Sequence, residues 1–165
     1  MDADLPLLLL RLTLGVIFLA HGWNHGFGAG GLDGTARWFE SIGLRPARLH
    51  AAISTYAELA VGAALVLGLL TPAAAAVGIG IMATAFATVH RANGFFIFKD
   101  GYEYVLLVAV ALVAVAALGP GSWSLDAALD LDLTGWEWGV GALALGVAGT
   151  AGMLATCWRP PTKNA

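Results

Sequence analysis

The sequence predicts an all-α integral membrane protein with five spanning helices and a short interfacial helix after the first. Three observations carry that prediction. The chain of 165 residues is 59% hydrophobic and only 12% charged, where a soluble domain carries roughly 25% charged residues. Its mean hydropathy is +0.79. The apolar residues fall in runs long enough to cross a bilayer, which takes about 20 residues per helix. The basic residues collect in the connections on one side of the resulting zigzag.

The first span covers about residues 5–25. From Leu5 to Ala20 its only ionisable side chain is Arg11. Asp4 is placed to cap it and Pro6 to sit in its first turn. The chain has no Lys or Arg before this run, and Arg11 interrupts it, so it reads as a retained span rather than a secretory signal. Glycines from Gly26 to Gly31 end it. Leu32, Ala36, Phe39 and Ile42 then recur at helical spacing among charged residues, with Trp38 beside them, which predicts an interfacial helix over about 32–42.

Residues 48–89 are too long an apolar stretch for one helix, and Thr71-Pro72 is the place to divide it, with Thr71 as N-cap. The second and third spans are therefore about 48–70 and 72–92. Asp100 and Glu103 read as a capping box that opens a fourth span over about 102–118. Gly119-Pro120-Gly121 closes it, and an acidic, partly helical loop follows. Thr134 and Glu137 form a second capping box before a fifth span over about 136–158, which Pro160-Pro161 stops. Its Gly135, Gly139, Ala142, Gly146 and Gly149 make a ridge of small residues suited to close helix contact.

With five spans, Arg37, Arg45, Arg48, Arg91, Lys99, Arg159 and Lys163 share one side, and Arg11 is the only basic residue elsewhere. The positive-inside rule places that side in the cytoplasm and the N-terminus outside. The net charge of -3, with no basic stripe, gives no nucleic-acid signature. Cys157 stands alone, so an internal disulfide and a CxxC redox or zinc motif are both excluded.

The informative residues are the polar ones inside the spans. At about 100° per residue, Arg11, His21 and His25 lie on one side of the first helix. His50, Ser54 and Glu58 form an i, i+4, i+8 stripe on the second, with Glu58 near the bilayer centre. An intramembrane charge costs roughly 3 kcal/mol on insertion scales, so each must face the bundle and find a partner. Arg11 and Glu58 are the two opposite charges available, joined directly or through an imidazole. A structural pair that fixes helix order is the first reading of them. His21, His25, His50, His90, Lys99, Tyr102 and Glu103 all reach the cytoplasmic end. Together with Glu58 they form a series of groups able to exchange protons beside a lipid-soluble carrier. Plainer roles stand beside these: Glu103 as a capping residue, His90 as a helix-end contact, and His21 with His25 as interfacial hydrogen-bonding groups. The HxxxH spacing alone assigns no metal.

The motifs RLTLGVIFLAHGWNH, YAELAVGAALVLGLLTP, HRANGFF, KDGYEYVLLVAVAL and GPGSWSLDAAL, in this order over about residues 5–130, resemble the DoxX family of small bacterial membrane proteins. The resemblance implies a four-helix membrane bundle over residues 1–130, distantly related to a eukaryotic cargo receptor. The rest, 131–165, then holds the end of the polar loop, an extra spanning helix and a cytoplasmic tail. The family name derives from a subunit of a thiosulfate:quinone oxidoreductase. What the resemblance implies is a redox-associated subunit of the bacterial cytoplasmic membrane, with emphasis on Arg11, His21, Glu58, His90, Asn93, Lys99 and Glu103.

Two functional readings follow. In the first, the bundle binds quinone or another lipid-soluble carrier, with Glu58, His21 and His90 as candidate catalytic groups. Arg11, His25, Ser54, Asn93, Lys99, Tyr102 and Glu103 form its polar network. Electrons come from a partner, since the sequence has no haem, flavin or iron-sulfur motif. In the second, the chain is a non-catalytic anchor or accessory subunit of a respiratory complex, attached through its fifth span to that complex or to a second copy. A small-molecule or lipid carrier is a weaker third reading, because five helices are few for a transporter.

Overall fold

The computed structural model describes residues 3–161. The described residues are mostly helical, and no strand occurs among them beyond one isolated bridge between Leu44 and Trp158. α1 (Asp4–Phe27) runs to a short α2 (Gly31–Ser41), α3 (Ala47–Leu67) returns, and α4 (Thr71–Ala85) follows after a tight turn. α4 continues without a break into a π-helical turn (Phe86–His90) and a 3-10 turn (Arg91–Asn93). After a second 3-10 turn (Ile97–Lys99) come α5 (Glu103–Leu118), the one-turn α6 (Leu125–Ala128) and α7 (Trp136–Cys157).

α1, α3, the Thr71–Asn93 helix and α7 are long and apolar enough to cross a membrane. α5 has 16 residues, about 24 Å at 1.5 Å per residue, and is the short one among the five expected spans. It packs on both α4 and α7: Tyr102 before it packs edge-on against Phe86, just past α4, and Val113 and Ala117 near its far end lie against Gly139 at the start of α7. The helices alternate between two ends, called here the α2 end and the α6 end.

The core lies where α1, α3, α4, α5 and α7 converge, with Phe18, Leu65, Ile79, Leu112 and Val115 at most 1% exposed. Glycines set the closest approach. A Cβ on Gly15 would stand 2.8 Å from the Gly62 carbonyl and one on Gly62 would stand 2.7 Å from the Gly15 carbonyl, so α1 and α3 touch backbone to backbone. α7 packs on α4 and α5 of its own bundle. Its Gly139, Ala142, Gly146 and Thr150 form the buried face, so most of the expected small-residue ridge is used internally. Gly149 departs from it and is exposed, and Gly135 serves as the N-cap.

Several expected caps are replaced by longer-range bonds. Asp4 is the first residue of α1, and its Oδ1 accepts a hydrogen bond from the Ser122 N–H at 2.7 Å instead of capping its own helix. α3 stops three residues early because Gly68 takes the left-handed conformation at φ 63°, a cheap C-terminal stop for glycine. Thr71 does not cap α4. Its N–H and hydroxyl both donate to Asp126 Oδ2, at 3.0 and 2.8 Å, while the Leu70 N–H donates to Oδ1 at 2.6 Å. The fully buried Asp126 thus caps α4 from the α5–α7 connection. Neither capping box forms: α5 starts after Tyr102 and α7 after Gly135, each without a side-chain cap bond. Glu103 instead accepts from the Ile97 N–H at 3.0 Å.

Candidate functional site

The centre of the candidate site is a cleft of about 590 Å³ between α3, α4 and α7. α3 and α7 both pack on α4 but scarcely on each other, so the α4 face carrying Val77, Gly80, Ile81 and Thr84 becomes the cleft floor. Trp38, Phe39, Ile42 and Leu44 of the α2 segment close the α2 end. The exposed Ile53 of α3 and Leu145 of α7 flank the opening, so it is apolar and faces sideways out of the bundle. The π turn lies along this cleft, bringing Thr88, Val89 and His90 to its wall. Such a turn widens a helix locally and recurs at functional sites.

The cleft wall is largely apolar, and its one carboxylate is Glu58. Glu58 is buried, with its side chain 3% exposed, and its Oε1 accepts a hydrogen bond from Ser54 Oγ at 2.6 Å. His25 Nδ1 stands 3.3 Å from the same Oε1. That contact lacks hydrogen-bond direction, so His25 Nδ1 has no hydrogen-bond partner, and neither has Glu58 Oε2. His50 Nε2, also on the wall, is buried without a partner too. His21 lies one turn before His25 on α1 and is exposed, its ring stacked on Tyr104 at 6.2 Å between centroids. Ligating atoms of His21, His25 and Glu58 all fall within 4.8 Å of one another.

On the opposite wall, Thr84 Oγ1 and Thr150 Oγ1 both donate to the Gly80 carbonyl, at 2.9 and 2.8 Å. The two hydroxyls also lie 3.4 Å from each other, so they form a small polar group around the Gly80 carbonyl. Neither threonine stands out in the sequence, because each is a single small polar residue in an apolar helix, and Thr150 meets Gly80 only once α4 and α7 are packed.

Arg11 is not part of this cluster. It is fully buried toward the α6 end, where its guanidinium donates to the carbonyls of Leu65 at 3.0 Å and Trp123 at 2.6 Å. The expected pairing with Glu58 is replaced by these bonds and by the nearby charge of Asp126. Leu65 and Glu58 are seven residues apart on α3, which is about 10 Å along the axis.

The residues expected from the α4–α5 connection divide. His90 reaches the cleft wall, but its Nδ1 bonds the Asp100 carbonyl at 2.7 Å, which Asn93 Nδ2 also reaches at 3.2 Å. Tyr102 packs against Phe86 and Phe95. With Glu103 on the Ile97 N–H, these groups hold the 91–102 connection in shape, and Asn93, Lys99, Tyr102 and Glu103 do not line the cleft. Lys99 is exposed.

The DoxX family model matches residues 6–91, just over half of the 165 residues. The chain belongs to the DoxX family. No curated protein and no solved structure matches it. The DoxX match ends well before residue 130, where the sequence resemblance was drawn. It takes in α1 through the π turn, and so contains Arg11, His21, His25, Ser54, Glu58 and His90 but none of α5 to α7. Its long apolar helices make this DoxX protein a multi-pass membrane protein in contact with the bilayer.

Proposed function

We propose that this DoxX protein is a redox-associated membrane subunit that binds a lipid-soluble carrier of the quinone type in the α3–α4–α7 cleft. The observation that carries the reading is a cleft of about 590 Å³ with largely apolar walls, a sideways opening and a buried polar cluster around Glu58. An isoprenoid-like chain suits the walls, and a small polar head suits the cluster. The free Glu58 oxygen favours a head that donates hydrogen bonds, as a hydroxylated, reduced carrier does. Glu58 Oε2 is buried without a partner, and Thr84 and Thr150 already donate to Gly80. Electrons would pass to or from a partner subunit at the α2 end. That end carries Arg37, Arg45, Arg48, Arg91, Lys99 and Arg159, and we assign it to the cytoplasmic face of a bacterial inner membrane.

The test is a variant that fills the cleft without disturbing the fold. Gly149 lines the cleft, and a Cβ there would meet nothing within 4 Å, so Gly149→Phe places a ring in the opening. Native mass spectrometry of protein extracted gently from its membrane is expected to show a bound quinol or quinone in the parent and its loss in Gly149→Phe. An empty cleft in the parent, or equal occupancy in the variant, overturns the reading.

A second reading, that of a non-catalytic anchor, has one observation in its favour. Gly141 and Gly152 of α7 also have open space where a Cβ would stand, so α7 keeps a face that a partner or a second copy can approach closely. A stable protein partner without any bound carrier in the same measurement supports that reading instead.

A further inference from the structure

We propose that His21, His25 and Glu58 form a binding site for a divalent transition-metal ion of the zinc type. Each of the three offers a ligating atom, and these atoms lie within 4.8 Å of one another. Two imidazoles and one carboxylate are the donor set of zinc sites that have three protein ligands and keep one position open. The helices fix the arrangement: His21 and His25 are one turn apart on α1, and Glu58 faces them from α3, where Gly22 lets the two backbones approach.

The His25–Glu58 distance fits a shared metal better than a simple ion pair. Ligands held about 2.0–2.1 Å from a tetrahedral ion lie about 3.3 Å apart, and His25 Nδ1 and Glu58 Oε1 are 3.3 Å apart. A charge-assisted N–H···O bond would be shorter, about 2.7–2.9 Å, and directed. This contact is neither, which leaves His25 Nδ1 without a hydrogen-bond partner. Among the described residues only five buried side-chain polar atoms lack a partner, and two of them, His25 Nδ1 and Glu58 Oε2, belong to this trio. Buried polar atoms left without partners inside an apolar bundle are costly, and a cation bound between them would satisfy them.

The surroundings supply support of the kind such ligands need. Ser54 Oγ holds Glu58 Oε1 at 2.6 Å. His21 is the exposed member and gives the ion a route in from outside the bundle, and a turn of its ring off Tyr104 would close the remaining distance. The fourth position opens toward the cleft, since His25 and Glu58 both line it. Arg11, the buried cation that would repel an ion here, is engaged with Leu65 and Trp123 elsewhere.

The experiment is a titration of the chelator-treated full-length protein, in detergent micelles, with Co²⁺ as the probe. The expected result is saturable uptake of one ion per chain, with visible bands of low-coordinate cobalt that Zn²⁺ abolishes. His21→Ala and Glu58→Gln should each weaken binding by more than the roughly 10–100-fold typical of outer-shell changes, while His90→Ala, elsewhere on the cleft wall, leaves it intact. Because His21 is exposed, His21→Ala keeps the fold and remains decisive if Glu58→Gln does not. No saturable uptake, or uptake equal in parent and His21→Ala, overturns the site. The outcome is separable from the carrier reading. His21 does not line the cleft, so His21→Ala should lose the metal and keep the carrier, and Gly149→Phe should do the reverse.

Discussion

Arg11 donates a hydrogen bond to the Leu65 carbonyl at 3.0 Å, and this bond divides the buried charges of the bundle into two separate clusters. Leu65 lies in the last turn of α3, where its carbonyl keeps only a long 3.3 Å bond from the Gly68 N–H and the helix dipole favours a cation. Arg11 is thus a C-terminal cap reaching in from another helix, and its second bond, to Trp123, ties the α5–α7 connection to the same point. Arg11→Leu removes both bonds to a charged donor, worth roughly 1.5–3 kcal/mol each. The expected outcome is a fall in Tm on the order of 5–15 °C, read from tryptophan fluorescence on heating in detergent, with cobalt uptake unchanged. An unaltered Tm would refute the capping role.

Asp126 is the other half of that cluster. It accepts three hydrogen bonds from Leu70 and Thr71, so Asp126→Ala leaves buried donors unpaired at a cost of about 1–3 kcal/mol each. Thr71→Val removes one of the same bonds, and the two changes share a partner. The double variant should therefore be less destabilised than the sum of the singles, by roughly 0.5–3 kcal/mol. Additive losses in Tm would mean that the Thr71 hydroxyl bond contributes nothing.

The fold was largely legible because bilayer length, punctuating residues such as Gly26–Gly31 and Pro72, and helical periodicity are all local signals. The limits of α2, expected over 32–42 and observed at Gly31–Ser41, show how well such signals carry. Caps were not legible, since Asp4, Thr71 and Glu103 each spend their bonding capacity on groups outside their own helix start. Helical phase placed Arg11, His21 and His25 on one side, yet phase says nothing of depth along the bundle. Only the packed α1–α3 pair sends Arg11 to one cluster and His25 to the other. Asp126 had a weak signal, an acid in a Ser-Leu-Asp-Ala turn whose Ser124 caps α6 at 3.1 Å. Nothing in its own neighbourhood points to Thr71.

The orientation can be measured with the protein's own lone cysteine removed. In a Cys157→Ser background, Ser41→Cys marks the α2 end and Ser122→Cys the α6 end, and both serines are exposed. With the basic α2 end in the cytoplasm, a membrane-impermeant maleimide should label Ser122→Cys in cells with a permeabilised outer membrane. Ser41→Cys should be labelled only after the inner membrane is broken. The opposite pattern would reverse the assignment of the two faces and move the electron partner to the other side.

Two glycines one turn apart on α7 give the sharpest contrast of all. A Cβ on Gly146 would stand 2.7 Å from the Ala76 carbonyl and 3.0 Å from the Gly80 nitrogen, both backbone atoms that cannot yield without moving α4. On Gly149 the same atom meets nothing within 4 Å. Gly146→Ala should therefore lower Tm by several degrees, at the about 1–3 kcal/mol that overpacking costs. It should also disturb the cleft, because the Gly80 carbonyl held by Thr84 and Thr150 lies on the displaced segment. Gly149→Ala should leave Tm unchanged or slightly higher, since alanine is the better helix former by about 1 kcal/mol. If Gly146→Ala were as harmless as Gly149→Ala, α7 would not be seated on α4, and the cleft would lose one of its three walls.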